Sequence, residues 1–317
     1  MAEKIATRHA YGESLAELGE NPRIVALDTD VSTCTMSVIF GKKYPERFYN
    51  CGIAEANMIG MAAGMSTFGY IPFVHAFAMF MAGRGYDQIR NTICYPGLNV
   101  KCVGTHAGLS VGEDGATHQC VEDIALMRAI PGMTVICPAD AAETAAATKA
   151  AAEFEGPVYL RLGRLPVETV TDVEGYNFQI GKAVQLREGS EVTVIATGLM
   201  VAEAVKAADM LATEEISVRV LDMHTIKPLD QEAVLKAAKE TGGIVTAEEH
   251  NVLGGLGGAV SEVIAEKYPV PVQRVGVQDC FGRSGDALAL LKQYHLNAED
   301  ICMAAKKVIE RKKKDNF

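Results

Sequence analysis

The chain has 317 residues, enough for two domains of ordinary size, and 49% of them are hydrophobic, enough to fill two cores. Its formal charge of −10 argues against a nucleic-acid or anionic-membrane surface, while a local cluster of Arg and His could still hold a phosphorylated substrate. No apolar run is long enough to span a bilayer, the first residues carry no signal-peptide core, and the eight cysteines form no CxxC pair; a soluble protein of a reducing cytoplasm with buried free thiols is expected.

Residues 5–19 alternate apolar and polar at helical spacing, and Gly19 with Pro22 ends that helix. Residues 23–27 read as a buried strand running into Asp28-Thr29-Asp30, and residues 47–51 as a second strand. After residues 52–57, the side chains up to Gly69 are small (Gly60, Ala62, Ala63, Gly64), which predicts a deeply buried helix that another backbone, or another subunit, approaches closely. A third strand at 71–75 is followed by Phe77, Phe80 and a helix ending near Tyr95-Pro96-Gly97. An apolar run at 98–103 then leads into residues 105–119, THAGLSVGEDGATHQ. A helix at 119–129, a strand at 134–137, an Ala-rich helix at 141–153 and a strand at 157–162, leading to Arg161 and Arg164, complete this half. Strands alternating with helices, each strand a continuous apolar run, predict a parallel sheet covered on both faces.

Residues 166–181, with Pro166, Gly175 and several carboxylates, read as a linker between a domain of residues 1–165 and one of residues 182–317. The second unit is again α/β: strand 191–196, helix 200–212, strand 217–221, strand 243–247, a glycine-rich run, a helix, strand 272–275 and a closing pair of helices. The glycines at 254–258 lack GxGxxG spacing, so a dinucleotide site there is weakly supported. The basic tail at 311–314 is expected to be a solvated helix end.

The chemistry concentrates in residues 105–119. His106 and His118 flank the adjacent carboxylates Glu113 and Asp114 and several glycines. Imidazole and carboxylate supply hydrogen bonds and proton transfer near neutral pH, and glycine lets backbone approach a ligand. A plain polar turn after a strand explains the same composition about equally well.

Three motifs, in order, change that balance: RFYNCGIAEAN at 47–57, Tyr86-Asp87-Gln88-Ile89, and VGEDG at 111–115 leading to His118. Together they resemble the transketolase family along essentially the whole chain, the first half its pyrimidine-binding domain and the second its C-terminal domain. The resemblance implies an α/β fold of two parallel-sheet domains, a thiamine-diphosphate pyrimidine-binding fold followed by a transketolase C-terminal-like domain. It implies transfer of a two-carbon ketol unit from a ketose phosphate to an aldose phosphate, with pentose phosphates as the default sugars.

By itself Glu55 reads as a carboxylate in the first turn of a helix. The resemblance makes it the catalytic glutamate, whose hydrogen bond to the aminopyrimidine ring activates thiamine diphosphate. Phe77 and Phe80, core residues by spacing, become the aromatics that stack on that ring, with Phe80 the better placed. A third family aromatic falls on Gly83, leaving Met81, Tyr86 or a partner chain to complete the ring pocket. The resemblance assigns His106, Asp114, His118 and Arg164 to substrate, with His118 also moving a proton; Arg161 is the alternative to Arg164 as the phosphate clamp. Cys34 or Thr33 stands where the family's phosphate-binding serine is expected. His106 and Glu113 follow the transketolase form, not that of the related deoxyxylulose-phosphate synthases.

No GDG motif followed by asparagines is present, and Gly285-Asp286-Ala287 is its nearest approach. The resemblance therefore implies the C-terminal subunit of a split transketolase, inactive alone. Mg2+ and the cofactor's diphosphate would be held by a separate N-terminal transketolase subunit, in an α2β2 heterotetramer. The rival expectations are a β subunit of a 2-oxoacid dehydrogenase first component and a non-catalytic binding protein that kept the fold.

Overall fold

In the computed structural model, residues 4–173 and 176–315 are described. The first half builds a seven-stranded sheet in the order Thr225–Lys227, Thr134–Ile136, Val158–Arg161, Lys101–Thr105, Ile71–Phe77, Ile24–Asp28 and Phe48–Asn50. Every pairing is parallel except the outermost, where Thr225–Lys227 comes from the second half and runs antiparallel to Thr134–Ile136. The central strands are mostly apolar and, except for Phe77 at one end, buried, as a sheet covered by helices on both sides requires. Parallel pairing brings the carboxyl ends of six strands to one edge.

The second half forms a five-stranded sheet in the order Val272–Val277, Ile244–Asn251, Val192–Ala196, Val218–Asp222 and Val184–Arg187, parallel except for the last pairing. The stretch expected as a linker is fastened to the first half. Pro166–Val167 pairs with Ile5–Ala6, and the Asp140 carboxylate accepts Val170 N at 2.7 Å and Thr171 N at 2.8 Å. Gly175 and its neighbour 174 lie outside the described residues.

Several local expectations need correction. The helix Glu55–Thr67 is buried on one face only, through Met58, Ile59, Ala62 and Ala63. Gly60 and Gly64 lie on the open face, where an added Cβ would meet nothing within 4 Å. Of the cysteines, Cys280 is exposed and Cys34 and Cys51 are half-buried; the other five are buried free thiols. In the basic tail, Lys312 is not free: its Nζ donates to the carbonyls of Glu191, at 2.5 Å, and Thr241. The glycine-rich run has a packing reason. Glu248 accepts Leu256 N at 2.7 Å and Gly257 N at 2.8 Å, so the N-terminus of helix Leu256–Lys267 is already met by the protein's own anion. A Cβ on Gly255 would lie 2.0 Å from that carboxylate.

Candidate active site

The carboxyl edge of a parallel sheet is where α/β proteins bind ligands, because the loops leaving the strands open a crevice there. Phe77 ends the strand Ile71–Phe77, and His106 directly follows the neighbouring strand Lys101–Thr105, which pairs Phe77 with Thr105. Glu55 opens its helix after the edge strand Phe48–Asn50, an acidic residue favoured by the helix dipole.

These residues meet in one continuous line. The Glu55 carboxylate is only 5% exposed and accepts a hydrogen bond from Arg84 Nη1 at 3.0 Å. The Arg84 guanidinium lies 4.2 Å from the centroid of the Phe80 ring, a cation–π contact. Phe80 stacks with Phe77 at 6.0 Å, and His118 sets its ring edge-on to both, at 5.2 Å from Phe80 and 6.2 Å from Phe77. On its other side Phe77 lies 4.1 Å from His106, centroid to centroid.

His106 is buried and has a left-handed φ of 56°, a conformation uncommon outside glycine. Its Nδ1 lies 2.9 Å from Thr105 Oγ1 and its Nε2 3.4 Å from Arg8 Nη1. Because arginine only donates, Nε2 accepts and the ring proton sits on Nδ1. Burial, helped by the nearby Arg8, Arg164 and His118, pushes the His106 pKa down to about 3. The ring is therefore a neutral hydrogen-bonding group at physiological pH.

Arg8 was missed by sequence reasoning, since an arginine on an amphipathic helix reads as solvated. Its Nη1 also donates to the Cys34 carbonyl at 2.5 Å, while Cys34 itself is half-buried and Thr33 exposed. The Cys34 turn is held by Asp28, whose carboxylate accepts Val31 N at 2.7 Å, Thr35 Oγ1 at 2.8 Å and Ser37 Oγ at 2.9 Å. Next to it, His75 bridges Tyr11 OH at 2.6 Å and the Leu27 carbonyl at 2.8 Å, fixing the sheet beneath the crevice.

The two candidate arginines separate cleanly. Arg161 is buried, with Nε 2.8 Å from the Asp123 carboxylate and Nη2 2.9 Å from the Glu249 carbonyl. Arg164 is partly open, with Nη1 2.6 Å from the Val111 carbonyl and 3.7 Å from the Asp114 carboxylate. Asp114 itself is exposed, as is Glu113. Of the side chains expected to complete the ring pocket, Met81 is fully buried in the core, and it is Arg84 that lies against Phe80.

The sequence matches the transketolase pyrimidine-binding domain over residues 3–168 and the transketolase C-terminal domain over residues 181–301. The chain belongs to the transketolase family. A putative transketolase C-terminal section from Methanocaldococcus jannaschii is 49% identical, over 97% of this chain and 96% of its own length. A 6-deoxy-6-sulfo-D-fructose transketolase subunit from Clostridium sp. is 47% identical, over 96% of this chain and 95% of its own. Among solved structures, a split-gene transketolase described as an inactive β4 tetramer superposes with a TM-score of 0.88 at 52% identity, covering 97% of this chain and 99% of its own. Both α/β halves are thus the transketolase fold, and among the described residues no helix is long and apolar enough to cross a membrane.

Transketolases depend on thiamine diphosphate, and the residues around Glu55 fit its aminopyrimidine ring. A guanidinium is planar and carries N–H donors. Here one rests on the face of Phe80 while donating to Glu55, so the pair already accepts a flat, nitrogen-bearing group.

Proposed function

We propose that this chain is the pyrimidine-binding and C-terminal subunit of a two-chain transketolase. It would transfer a two-carbon ketol unit between sugar phosphates, together with a separate N-terminal subunit that holds the diphosphate and Mg2+ of the cofactor. Two relatives of nearly the same length, one a transketolase C-terminal section and one a transketolase subunit, support this reading. So does the open face of helix Glu55–Thr67, where Met61 and the neighbouring Ile53, Phe68 and Tyr70 are exposed, as an α2β2 interface would need.

The observation that carries the proposal is the unbroken line from Glu55 through Arg84, Phe80 and His118 to Phe77 and His106. When bound, thiamine diphosphate supplies the nucleophilic carbon that adds to a ketose carbonyl. Glu55 would share a hydrogen bond with a ring nitrogen of the aminopyrimidine, and Phe80 and Phe77 would pack against that ring. His118 lies against both rings, in position to hold or move a proton on the sugar; the Asp114 carboxylate would accept from its hydroxyls, and neutral His106 would line the crevice beside them. Arg164 and Arg8 lie at the far end of the crevice, where two guanidinium groups suit a phosphate or a sulfonate.

The test is ketol transfer from xylulose 5-phosphate to ribose 5-phosphate with thiamine diphosphate and magnesium, run on this chain alone and with the subunit that co-purifies from its native source. Activity in the mixture alone is the expected result. A mixture that binds cofactor and acts only on sulfonated or branched sugars would keep the enzyme class and change the substrate. Full activity from this chain alone would overturn the two-chain reading.

A further inference from the structure

The loop that carries His106, Asp114 and His118 belongs to the first half, yet what holds it comes largely from the second. Glu249 lies on the strand Ile244–Asn251 of the other sheet and is 3% exposed. Its carboxylate accepts Ser110 N at 2.5 Å and Ser110 Oγ at 3.2 Å. Two residues earlier, Gly108 has a φ of 83°, and a Cβ there would sit 2.2 Å from the carboxyl carbon of Glu249. The glycine thus permits the loop to settle directly on the carboxylate. Ser110 is followed by Val111, whose carbonyl takes Arg164 at 2.6 Å, and Arg164 faces Asp114.

A second clasp lies alongside. Gln119 Nε2 donates to the carbonyls of Leu109 at 3.3 Å, Gly112 at 3.1 Å and Arg283 at 3.0 Å, tying the loop to the second half. Gly112 and Gly115 pack against it so closely that an added Cβ would lie 3.2 Å from the Gly285 carbonyl and 2.5 Å from Ser284 Oγ. Glu249 is a costly group to keep here: burial, opposed by Arg161 and the Ser110 bonds, pushes its carboxyl up to about 7. A neutral side chain would fill the space at less cost, so its acceptor oxygens need a reason.

We infer that Glu249 is a positioning residue for sugar binding: the second half, through its carboxylate on Ser110, sets the conformation of the loop that presents Asp114 and His118 to the substrate and anchors Arg164 through Val111. The inference rests on the transketolase reading for what the loop binds, but not for the hold itself. Glu249 touches no substrate; it acts through residues 108–115.

The experiment replaces Glu249 with Ala and with Gln in the full chain, whose amide oxygen still accepts Ser110 N–H. Hydrogen exchange is followed by mass spectrometry on the full chain, and KM, kcat and thiamine diphosphate affinity on the complex with its partner. Glu249→Ala is expected to raise exchange in residues 108–115 selectively and to raise the sugar KM about tenfold with kcat and cofactor affinity little changed. Glu249→Gln is expected to restore both. Unchanged loop exchange in Glu249→Ala, or a loss spread evenly over exchange, kcat and cofactor affinity that Gln does not rescue, would overturn the inference. If the Ala variant does not fold, Glu249→Asp, which keeps the charge but withdraws it by one methylene, is read the same way. Should the wild-type complex show no ketol transfer, the function is wrong while the exchange arm still decides whether Glu249 holds the loop.

Discussion

Arg84 donates to Glu55 at 3.0 Å while lying over Phe80, so one side chain occupies both groups that the cofactor's aminopyrimidine would use. The two occupants compete for one carboxylate oxygen and one ring face. The Arg84 side chain is 53% exposed, so solvent screens the pair and its strength is at the lower end for a charged hydrogen bond. Replacing Arg84 with Met should therefore tighten thiamine diphosphate binding to the assembled complex about threefold, for a change of roughly 0.5–1 kcal/mol. Cofactor titration by calorimetry measures it, and weaker binding would show that Arg84 belongs to the loaded site.

Glu55 sits at a helix start, where its charge is favoured whatever its role, so folding alone does not distinguish a capping carboxylate from a catalytic one. Glu55→Ala separates them. Turnover should fall by several orders of magnitude while the thermal melt and the assembly with the partner stay close to wild type. Normal turnover in this variant would end the proposed mechanism.

Beyond burial, Arg8 and Arg164 both push the His106 pKa down, which places two positive charges at one end of the crevice. Arg8→Ala should raise KM for a phosphorylated sugar about tenfold or more and barely alter KM for the same sugar without its phosphate. A sulfonated sugar, whose headgroup carries less charge, should be affected less than the phosphate. Equal losses on charged and uncharged sugars would mean that Arg8 acts only by holding Cys34 and His106.

The buried pair of Asp123 and Arg161 couples the helix Asp123–Ala129 to the sheet, and Tyr159 OH donates to the same Asp123 oxygen at 2.8 Å. Removing one partner leaves an uncompensated charge in the interior. Asp123→Ala should cost about 3–5 kcal/mol in urea unfolding, far more than a surface change, whereas Asp114→Ala, at an exposed site facing the half-buried Arg164, should cost less than about 1 kcal/mol.

Glu55, Phe77, Phe80, His106 and His118 drew attention through the family resemblance; locally they read as a helix-start carboxylate, core aromatics and a polar loop, and the structure brings them side by side. Their convergence follows from parallel pairing, which the alternation of strands and helices predicts. What the sequence hid depends on distant partners. Arg84 meets Glu55 across 29 residues, Arg8 meets His106 across 98, and Glu249 meets Ser110 across 139. No local pattern announces such contacts. The small-residue helix was legible in part: glycine permits close approach, but only the fold decides which face is approached, and within this chain Gly60 and Gly64 point away from the core.

The pH dependence of stability carries a signature of His106. Its pKa lies at about 3 in the folded chain against an ordinary 6.5, so the unfolded chain takes up a proton below pH 6.5 that the folded chain refuses until near pH 3. The stabilisation from the neutral ring is whole above pH 6.5 and is lost as the pH falls toward 3, at about 1.4 kcal/mol per pH unit in between. His106→Asn removes the titration while keeping a polar, uncharged side chain. Other ionisable groups shift in both variants alike and cancel in the difference. The stability advantage of wild type over His106→Asn should therefore shrink by about 2 kcal/mol between pH 7 and pH 5, measured by urea unfolding at each pH. Over the same range the acid limb of kcat/KM should not move with the substitution, because a ring that stays neutral contributes no ionisation there. A constant stability difference, or a displaced acid limb, would show that His106 takes up its proton near neutrality and that burial and the two arginines do not hold it off.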